Sequence, residues 1–230
     1  MQLLLLSNST SETGYLAHAL DRIVELAQGA REAAFVPYAG VSRSWDAYEA
    51  IVAEALKPAG ISVRSVHRAA DPAAMVREAR LVMVGGGNTF SLLHHCRRHG
   101  VLAALKNRDR AGLRFVGWSA GANLACPTIC TTNDMPVIDP GRLDALGLVP
   151  FQINPHYTNA SPPGHRGETR DQRLAEFLVL NPAVPVLALP EGDWLRVAGA
   201  SMTLGGGRPA LWLRHGHEPL TLSDGPLALP

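Results

Sequence analysis

Apolar residues over the first 125 positions switch repeatedly between short continuous runs and stripes at helical spacing, the pattern of strands alternating with helices around a parallel sheet. Leu3-Leu4-Leu5-Leu6 predicts a buried first strand. Ser9-Thr10-Ser11-Glu12 offers a capping box, and Tyr15, Leu16, Ala19, Leu20, Ile23 and Val24 continue at helical spacing, so a helix is expected next. A second strand, Ala33-Ala34-Phe35-Val36, is closed by Pro37. The stripe Trp45, Tyr48, Ile51, Val52, Ala55 and Leu56 then predicts a helix that Pro58 and Gly60 stop. Residues 61–66, 81–84 and 113–116 read as the third, fourth and fifth strands, with Asp71-Pro72 as an N-cap and first helical residue between the third and fourth.

Beyond about residue 126 the pattern loosens into a proline- and glycine-rich stretch, where functional loops tend to lie. Phe151-Gln152-Ile153 is a short apolar piece there, and Thr169-Arg170-Asp171-Gln172 is a capping box for a helix carrying Leu174, Phe177 and Leu178. Residues 184–189 read as a further buried strand of the sheet, and residues 194–222 as hairpins flanking it. The reading is therefore one α/β domain over residues 1–230, a mostly parallel sheet with helices on both faces and short β hairpins near the C-terminus.

Composition changes this picture by exclusion. With 47% hydrophobic residues the chain buries a sizeable core, which rules out a disordered protein. Lys plus Arg number 21 against 20 Asp plus Glu, a net +1 that lacks the basic footprint of a nucleic-acid binder. The four-leucine run is too short for a signal-peptide core or a membrane span, so no membrane partner and a cytoplasmic location are expected. Cys96, Cys126 and Cys130 are an odd number and form no disulfide framework.

The sharpest chemical signal is Gly117-Trp118-Ser119-Ala120-Gly121, a G-x-S-x-G match directly after a strand and before the helix-compatible Ala122-Asn123-Leu124-Ala125. In a nucleophile elbow the flanking glycines remove Cβ clashes while the serine is pushed out above the sheet; the plainer alternative is a tight turn whose serine caps the helix. Gly85-Gly86-Gly87-Asn88-Thr89 ends another strand and opens a helix, so its amides suit an oxyanion or other negative charge. A P-loop would need a Gly-Lys-Ser/Thr ending and a dinucleotide fingerprint a glycine at Phe90, so nucleotide binding is disfavoured.

Nine histidines compete to be the base that a serine needs. His18, His94, His95 and His99 fall on predicted helices, and the i, i+4 pair His95 and His99 lacks a third metal ligand; His215 and His217 look like turn residues. His156, in Asn154-Pro155-His156-Tyr157 at the mouth of a polar loop, is the best candidate. Two acids could orient it, Asp134 in a polar loop and Glu191 just after the 184–189 strand, where it should share a rim with Ser119 and Gly87. Either acid could equally be a turn-capping carboxylate. Arg170 would occupy the first turn of its helix, where a cation is unfavourable unless an anion is near; it is either a carboxylate-binding fork or a solvated surface residue.

These segments together strongly resemble one family. Residues 3–10, Val84-Gly85-Gly86-Gly87-Asn88-Thr89-Phe90, residues 117–123, Thr131-Thr132-Asn133-Asp134-Met135-Pro136, Gln152-Ile153-Asn154-Pro155-His156 and Leu189-Pro190-Glu191-Gly192 are similar, in unbroken order, to the peptidase E (α-aspartyl dipeptidase) family. The resemblance spans roughly residues 2–205 and is weak over about the last 25. It implies a flavodoxin-like fold similar to class I glutamine amidotransferases and hydrolysis of dipeptides with N-terminal aspartate, with neither metal nor other cofactor. By the same resemblance Ser119 is the nucleophile, His156 the base, and the amides of Gly87 and Ala120 the oxyanion donors. Asp134 or Glu191 is the third member, Arg170 binds the aspartyl carboxylate, and Asn88 belongs to the substrate-binding set. Cys126, Cys130 and the loop Ser161-Pro162-Pro163-Gly164 receive no role. Two other readings compete, an α/β-hydrolase esterase with the chain order Ser119, Asp134, His156, and a non-catalytic domain binding a small acidic ligand.

Overall fold

The computed structural model describes residues 1–109, 112–160, 164 and 166–229; Ser161, Pro162 and Pro163 of the unassigned loop lie outside them. The chain runs β1 (Gln2–Leu6), β2 (Thr10–Ser11), β3 (Gly14–Tyr15), α1 (Leu20–Ala27), β4 (Glu32–Val36), α2 (Trp45–Leu56) and β5 (Ser62–Ser65). It continues through α3 (Pro72–Glu78), β6 (Val82–Val84), α4 (Thr89–Arg98), α5 (Val101–Lys106), β7 (Arg114–Trp118), α6 (Ala120–Ala125), β8 (Gln152–Asn154) and α7 (Arg170–Leu180). Six short strands finish it: β9 (Val186–Ala188), β10 (Trp194–Ala198), β11 (Ser201–Gly205), β12 (Ala210–Leu213), β13 (Leu220–Leu222) and β14 (Gly225–Leu227).

Eight strands form a central sheet in the order β14-β11-β10-β1-β7-β6-β4-β5. The five from β1 to β5 run parallel, as the buried apolar runs predict. Alternation along β1 feeds two cores: Leu3 and Leu5 pack with residues of α4, α5 and α6, while Leu4 and Leu6 meet Ile23 and Leu26 of α1 and Tyr48, Val52 and Leu56 of α2. All four leucines are fully buried, each contributing about 1.5–3 kcal/mol. Helices thus cover both faces. The order β5-β4-β6-β7 follows the flavodoxin-like pattern, with its reversal between β4 and β6, but the next position is held by the first strand, β1.

Three expectations need correction. The main sheet is only partly parallel, because β10 pairs antiparallel along the whole of β1, from Gln2 opposite Ala198 to Leu6 opposite Trp194, and β11 and β14 extend it. With that edge taken, the strand within residues 184–189 does not join the main sheet. It pairs as β9 with β8 in parallel and with β12 antiparallel, in a second sheet ordered β13-β12-β9-β8. The helix expected from Ser9 also starts later. Thr10 and Ser11 pair with Gly14 and Tyr15 as a hairpin, and α1 begins at Leu20 after a 3-10 turn over Ala17–Ala19. Ser11 Oγ bonds the Gly14 carbonyl at 3.1 Å and Thr13 Oγ1 at 3.0 Å instead of serving a helix. The caps at Asp71 and Thr169 form as predicted, the latter a full capping box with Gln172. All three cysteines are free. Among the described residues no helix is long and apolar enough to cross a membrane.

One buried charge bears on stability. Asp193 is fully buried; its Oδ1 accepts from the Arg208 amide at 3.3 Å and its Oδ2 has no partner among the described residues. Burial raises its carboxyl to about 6. The fold therefore holds this proton more tightly than the unfolded chain does, so stability falls as pH rises from about 4 to 6 and stays lower above. Asp193→Asn, which cannot ionise, is expected to raise Tm by about 3–6 °C at pH 7.5 and by much less at pH 4.5. Equal shifts at the two pH values would refute the charge as the cause.

Candidate active site

The C-terminal ends of β1, β4, β6 and β7 open into a cavity of about 750 Å³ beside the strand-order reversal. Ser119 directly follows β7 in a conformation that non-glycine residues rarely adopt, φ 52° and ψ −114°, and α6 begins at the next residue. Its amide donates to the Leu6 carbonyl at 3.0 Å, which fixes the turn against β1. Gly121 is required here because a Cβ on it would run into the carbonyl oxygen of Val84. The sequence match thus has the strained strand-to-helix turn of an elbow, with the hydroxyl directed into the cavity.

His156 meets that hydroxyl, its Nε2 lying 2.9 Å from Ser119 Oγ. Its other nitrogen, Nδ1, lies 2.7 Å from Glu191 Oε1. A ring carrying its proton on Nδ1 donates to Glu191 and accepts from Ser119, the tautomer a serine relay requires. Glu191 reaches this position from the second sheet: Tyr157 donates to the Leu189 carbonyl at 3.0 Å, and Leu189 to that of Asn154 at 2.9 Å. The expectation that Glu191 shares a rim of one parallel sheet with Ser119 and Gly87 needs correction, because Glu191 reaches the same cavity from the second sheet.

Two residues that sequence reasoning missed hold the pair in place. Ser7 Oγ accepts from the His156 amide at 2.8 Å and donates to the Leu189 carbonyl at 2.9 Å, tying β1, the histidine and the approach to the glutamate together. Asn8 Oδ1 accepts from the Gly192 amide at 2.8 Å. The available signal was their place, two polar residues directly after a buried strand whose C-terminal end faces the site. His156 itself has φ 54°, and Asn133 Nδ2 holds the preceding carbonyl of Pro155 at 2.8 Å.

Asp134 lies in the same cavity but its carboxylate is engaged elsewhere. Oδ2 accepts from the Thr89 amide at 2.7 Å, Thr89 Oγ1 at 2.6 Å and Thr132 Oγ1 at 3.0 Å, so it caps the start of α4. The structure therefore brings Glu191, and not Asp134, to His156. Asn88 is the N-cap of α4, its Oδ1 accepting from Ser91 and its Nδ2 donating to the Met135 carbonyl at 2.8 Å, while the residue lines the cavity. Gly87 has φ 130°, and a Cβ there would strike the Ala39 carbonyl, to which the next amide, that of Asn88, donates at 2.8 Å. Among the described residues the Gly87 and Ala120 amides donate to nothing, leaving two N–H groups beside the serine. Behind them Trp118 Nε1 donates to Tyr48 Oη at 3.0 Å, and Tyr48 Oη donates to the Gly86 carbonyl at 2.9 Å, bracing the glycine loop.

Arg170 does not line the cavity. It sits at the first turn of α7, partly buried, with no hydrogen bond or ion pair among the described residues, and burial lowers its pKa from the ordinary value. The neighbouring Asp171 accepts from Tyr157 Oη at 2.6 Å, which anchors that turn to the residue after His156. His95 and His99 stack at 6.0 Å with Tyr38 alongside. Among the described residues, Asp46, Glu49 and His67 carry ligand-type atoms close enough to share an ion, but Arg68 bridges both carboxylates, at 2.7 and 2.8 Å.

Comparison with known proteins adds an independent line. The model of peptidase family S51 matches residues 3–205. Peptidase E of Escherichia coli, including strain K12 / DH10B, is 51% identical over 226 residues, covering 98% of this chain and 99% of the relative, and peptidase E of Shigella boydii serotype 18 matches equally. Among solved structures, a putative peptidase E protein from Listeria monocytogenes EGD-e has a TM-score of 0.65 at 22% identity, covering 89% of this chain and 98% of its own. A peptidase from an acI-B1 Actinobacterium has a TM-score of 0.67 at 14% identity, covering 96% of each. These two likenesses speak to the fold alone.

Proposed function

Because this chain belongs to peptidase family S51 and is a peptidase, we propose that it hydrolyses dipeptides with N-terminal aspartate through an acyl-enzyme on Ser119. The observation that carries the proposal is the continuous relay from Ser119 Oγ through both nitrogens of His156 to Glu191, at 2.9 and 2.7 Å. Ser119 Oγ attacks the aspartyl carbonyl carbon and its proton passes to His156 Nε2, while Glu191 holds the imidazolium that forms. The negative oxygen of the tetrahedral intermediate is received by the amides of Gly87 and Ala120. His156 then gives the proton to the leaving nitrogen as the C–N bond breaks. Water, deprotonated by the same ring, cleaves the aspartyl ester and releases aspartate.

Arg170 is the proposed reader of the aspartyl side-chain carboxylate. What supports it is a desolvated guanidinium that has no counter-charge among the described residues, on a helix turn tied to the His156 segment by Tyr157. A site built around such a cation penalises a substrate lacking the carboxylate. Asn88 acts in this reading as a fixed wall of the site, since its side chain is committed to capping. The test is turnover of Asp-Leu beside Glu-Leu, Asn-Leu and Ala-Leu, with EDTA present, in the wild type and in Arg170→Gln. Cleavage confined to Asp-Leu is expected, with the preference over Asn-Leu reduced by about tenfold or more in the variant. Comparable turnover of all four by the wild type would overturn the specificity, and an unchanged preference in Arg170→Gln would remove Arg170 from it.

A further inference from the structure

An Asp-Xaa dipeptide carries two carboxylates, one on each side of the bond to be broken, and the arginine proposed above answers only one of them. Among the described residues Arg43 is the sole lysine or arginine lining the cavity that holds Ser119. Among the described residues it makes no hydrogen bond or ion pair, and its guanidinium carbon stands 5.2 Å from the centre of the Tyr48 ring. Tyr48 is buried and bonded to the carbonyl of Gly86, so this platform is fixed relative to the glycine loop that presents the Gly87 amide. Arg43 also precedes Ser44, the N-cap of α2, which sets its charge beside the positive end of that helix. The acid of the first turn, Asp46, is occupied by His67 and Arg68 and does not neutralise it. The cavity therefore presents a rigidly backed cation with no partner among the described residues.

Position selects which carboxylate it takes. Arg43 stands where the reactive cavity meets a second one of about 460 Å³, which shares Gly40, Val41 and Arg43 with it and is walled beyond them by the apolar Trp45, Val137 and Ile138 and the polar Ser44, Ser91 and His95. An aspartyl side chain gains nothing from apolar walls. The departing residue brings its carboxylate together with a variable side chain attached to the same carbon, and this pairing of a cation with a partly apolar recess suits it. Resting on the reading of the chain as an aspartyl dipeptidase, we propose that Arg43 binds the α-carboxylate of the leaving residue and thereby favours dipeptides over longer or C-terminally blocked substrates. Arg43 is in this view a specificity residue and takes no part in proton transfer.

The test measures kcat/KM for Asp-Leu, Asp-leucinamide and Asn-Leu in the wild type, Arg43→Gln and Arg43→Lys, with calorimetric binding of Asp-Leu and Asp-leucinamide to Ser119→Ala and to Ser119→Ala/Arg43→Gln. The wild type is expected to prefer Asp-Leu to its amide by about tenfold or more, as a charge-assisted pair at a partly open site allows. Arg43→Gln should abolish that preference while leaving discrimination between Asp-Leu and Asn-Leu intact, and Arg43→Lys should restore part of it. Persistence of the preference in Arg43→Gln would overturn the proposal. So would a collapse of Asp-Leu over Asn-Leu discrimination, which would make Arg43 the reader of the aspartyl side chain. A wild type that turns over none of these substrates would defeat the dipeptidase reading, and the binding arm would still decide for Arg43: equal affinity of Ser119→Ala for Asp-Leu and its amide would refute it.

Discussion

Ser119→Ala is expected to lower kcat/KM for Asp-Leu by at least about a thousandfold. Among the described residues the hydroxyl is the only group bonded to His156 Nε2 that can form the aspartyl ester, at 2.9 Å. What remains in the variant is binding and the two proposed oxyanion amides, without the proposed nucleophile. Stability should be nearly unchanged. Alanine is no more strained than serine at φ 52°, and the lost contact is to a histidine that water can reach. Circular dichroism and a thermal melt beside the kinetics separate lost chemistry from lost fold. A variant that melts like the wild type and retains more than about a tenth of its activity would remove Ser119 from the mechanism.

Glu191→Gln and Asp134→Asn are expected to diverge, although both change one cavity carboxylate to its amide. Of the two carboxylates, Glu191 is the one that touches the proposed base, at 2.7 Å from Nδ1. An amide there stabilises the imidazolium less and can favour the wrong tautomer, so kcat should fall by roughly a hundredfold to ten-thousandfold. Because Glu191 is more than half exposed, its removal should alter Tm little. Asp134 makes the opposite contribution. Its Oδ2 gathers the Thr89 amide and two threonine hydroxyls at the first turn of α4, and weakening that cap should lower Tm by about 2–6 °C while kcat stays within about threefold. The two variants measured together assign the third member, and a larger kcat loss in Asp134→Asn would reverse the assignment.

The comparison of these carboxylates shows where sequence reasoning stops. The elbow was legible because its signal is local: two glycines at fixed offsets from a serine, between an apolar run and a helical stretch, constrain one turn of backbone. The parallel strands and most caps were legible for the same reason. Asp134 and Glu191 could not be told apart, since each is a carboxylate in a polar loop and the choice depends on contacts between residues 35 positions apart or more. The placement of β9 was hidden because a three-residue buried strand carries no label for the sheet it joins, and β10 had already taken the edge of β1. The hairpin at Thr10 to Tyr15 escaped because a capping-box pattern and a tight turn use the same Ser and Thr hydroxyls. Ser7 lies in a segment that resembles the family but has no chemical signature of its own, and Arg43 lies in no motif. They became visible only through what they touch or line.

Acyl transfer through Ser119 leaves a trace that can be caught by quenching the enzyme in acid during turnover of Asp-Leu and mapping its peptides by mass spectrometry. A fraction of the peptide containing Ser119 is expected to carry one aspartyl residue in ester linkage, and both the adduct and turnover should vanish in Ser119→Ala. Continued turnover in Ser119→Ala, with the aspartyl group absent from position 119 or found on another residue, would contradict acyl transfer through Ser119.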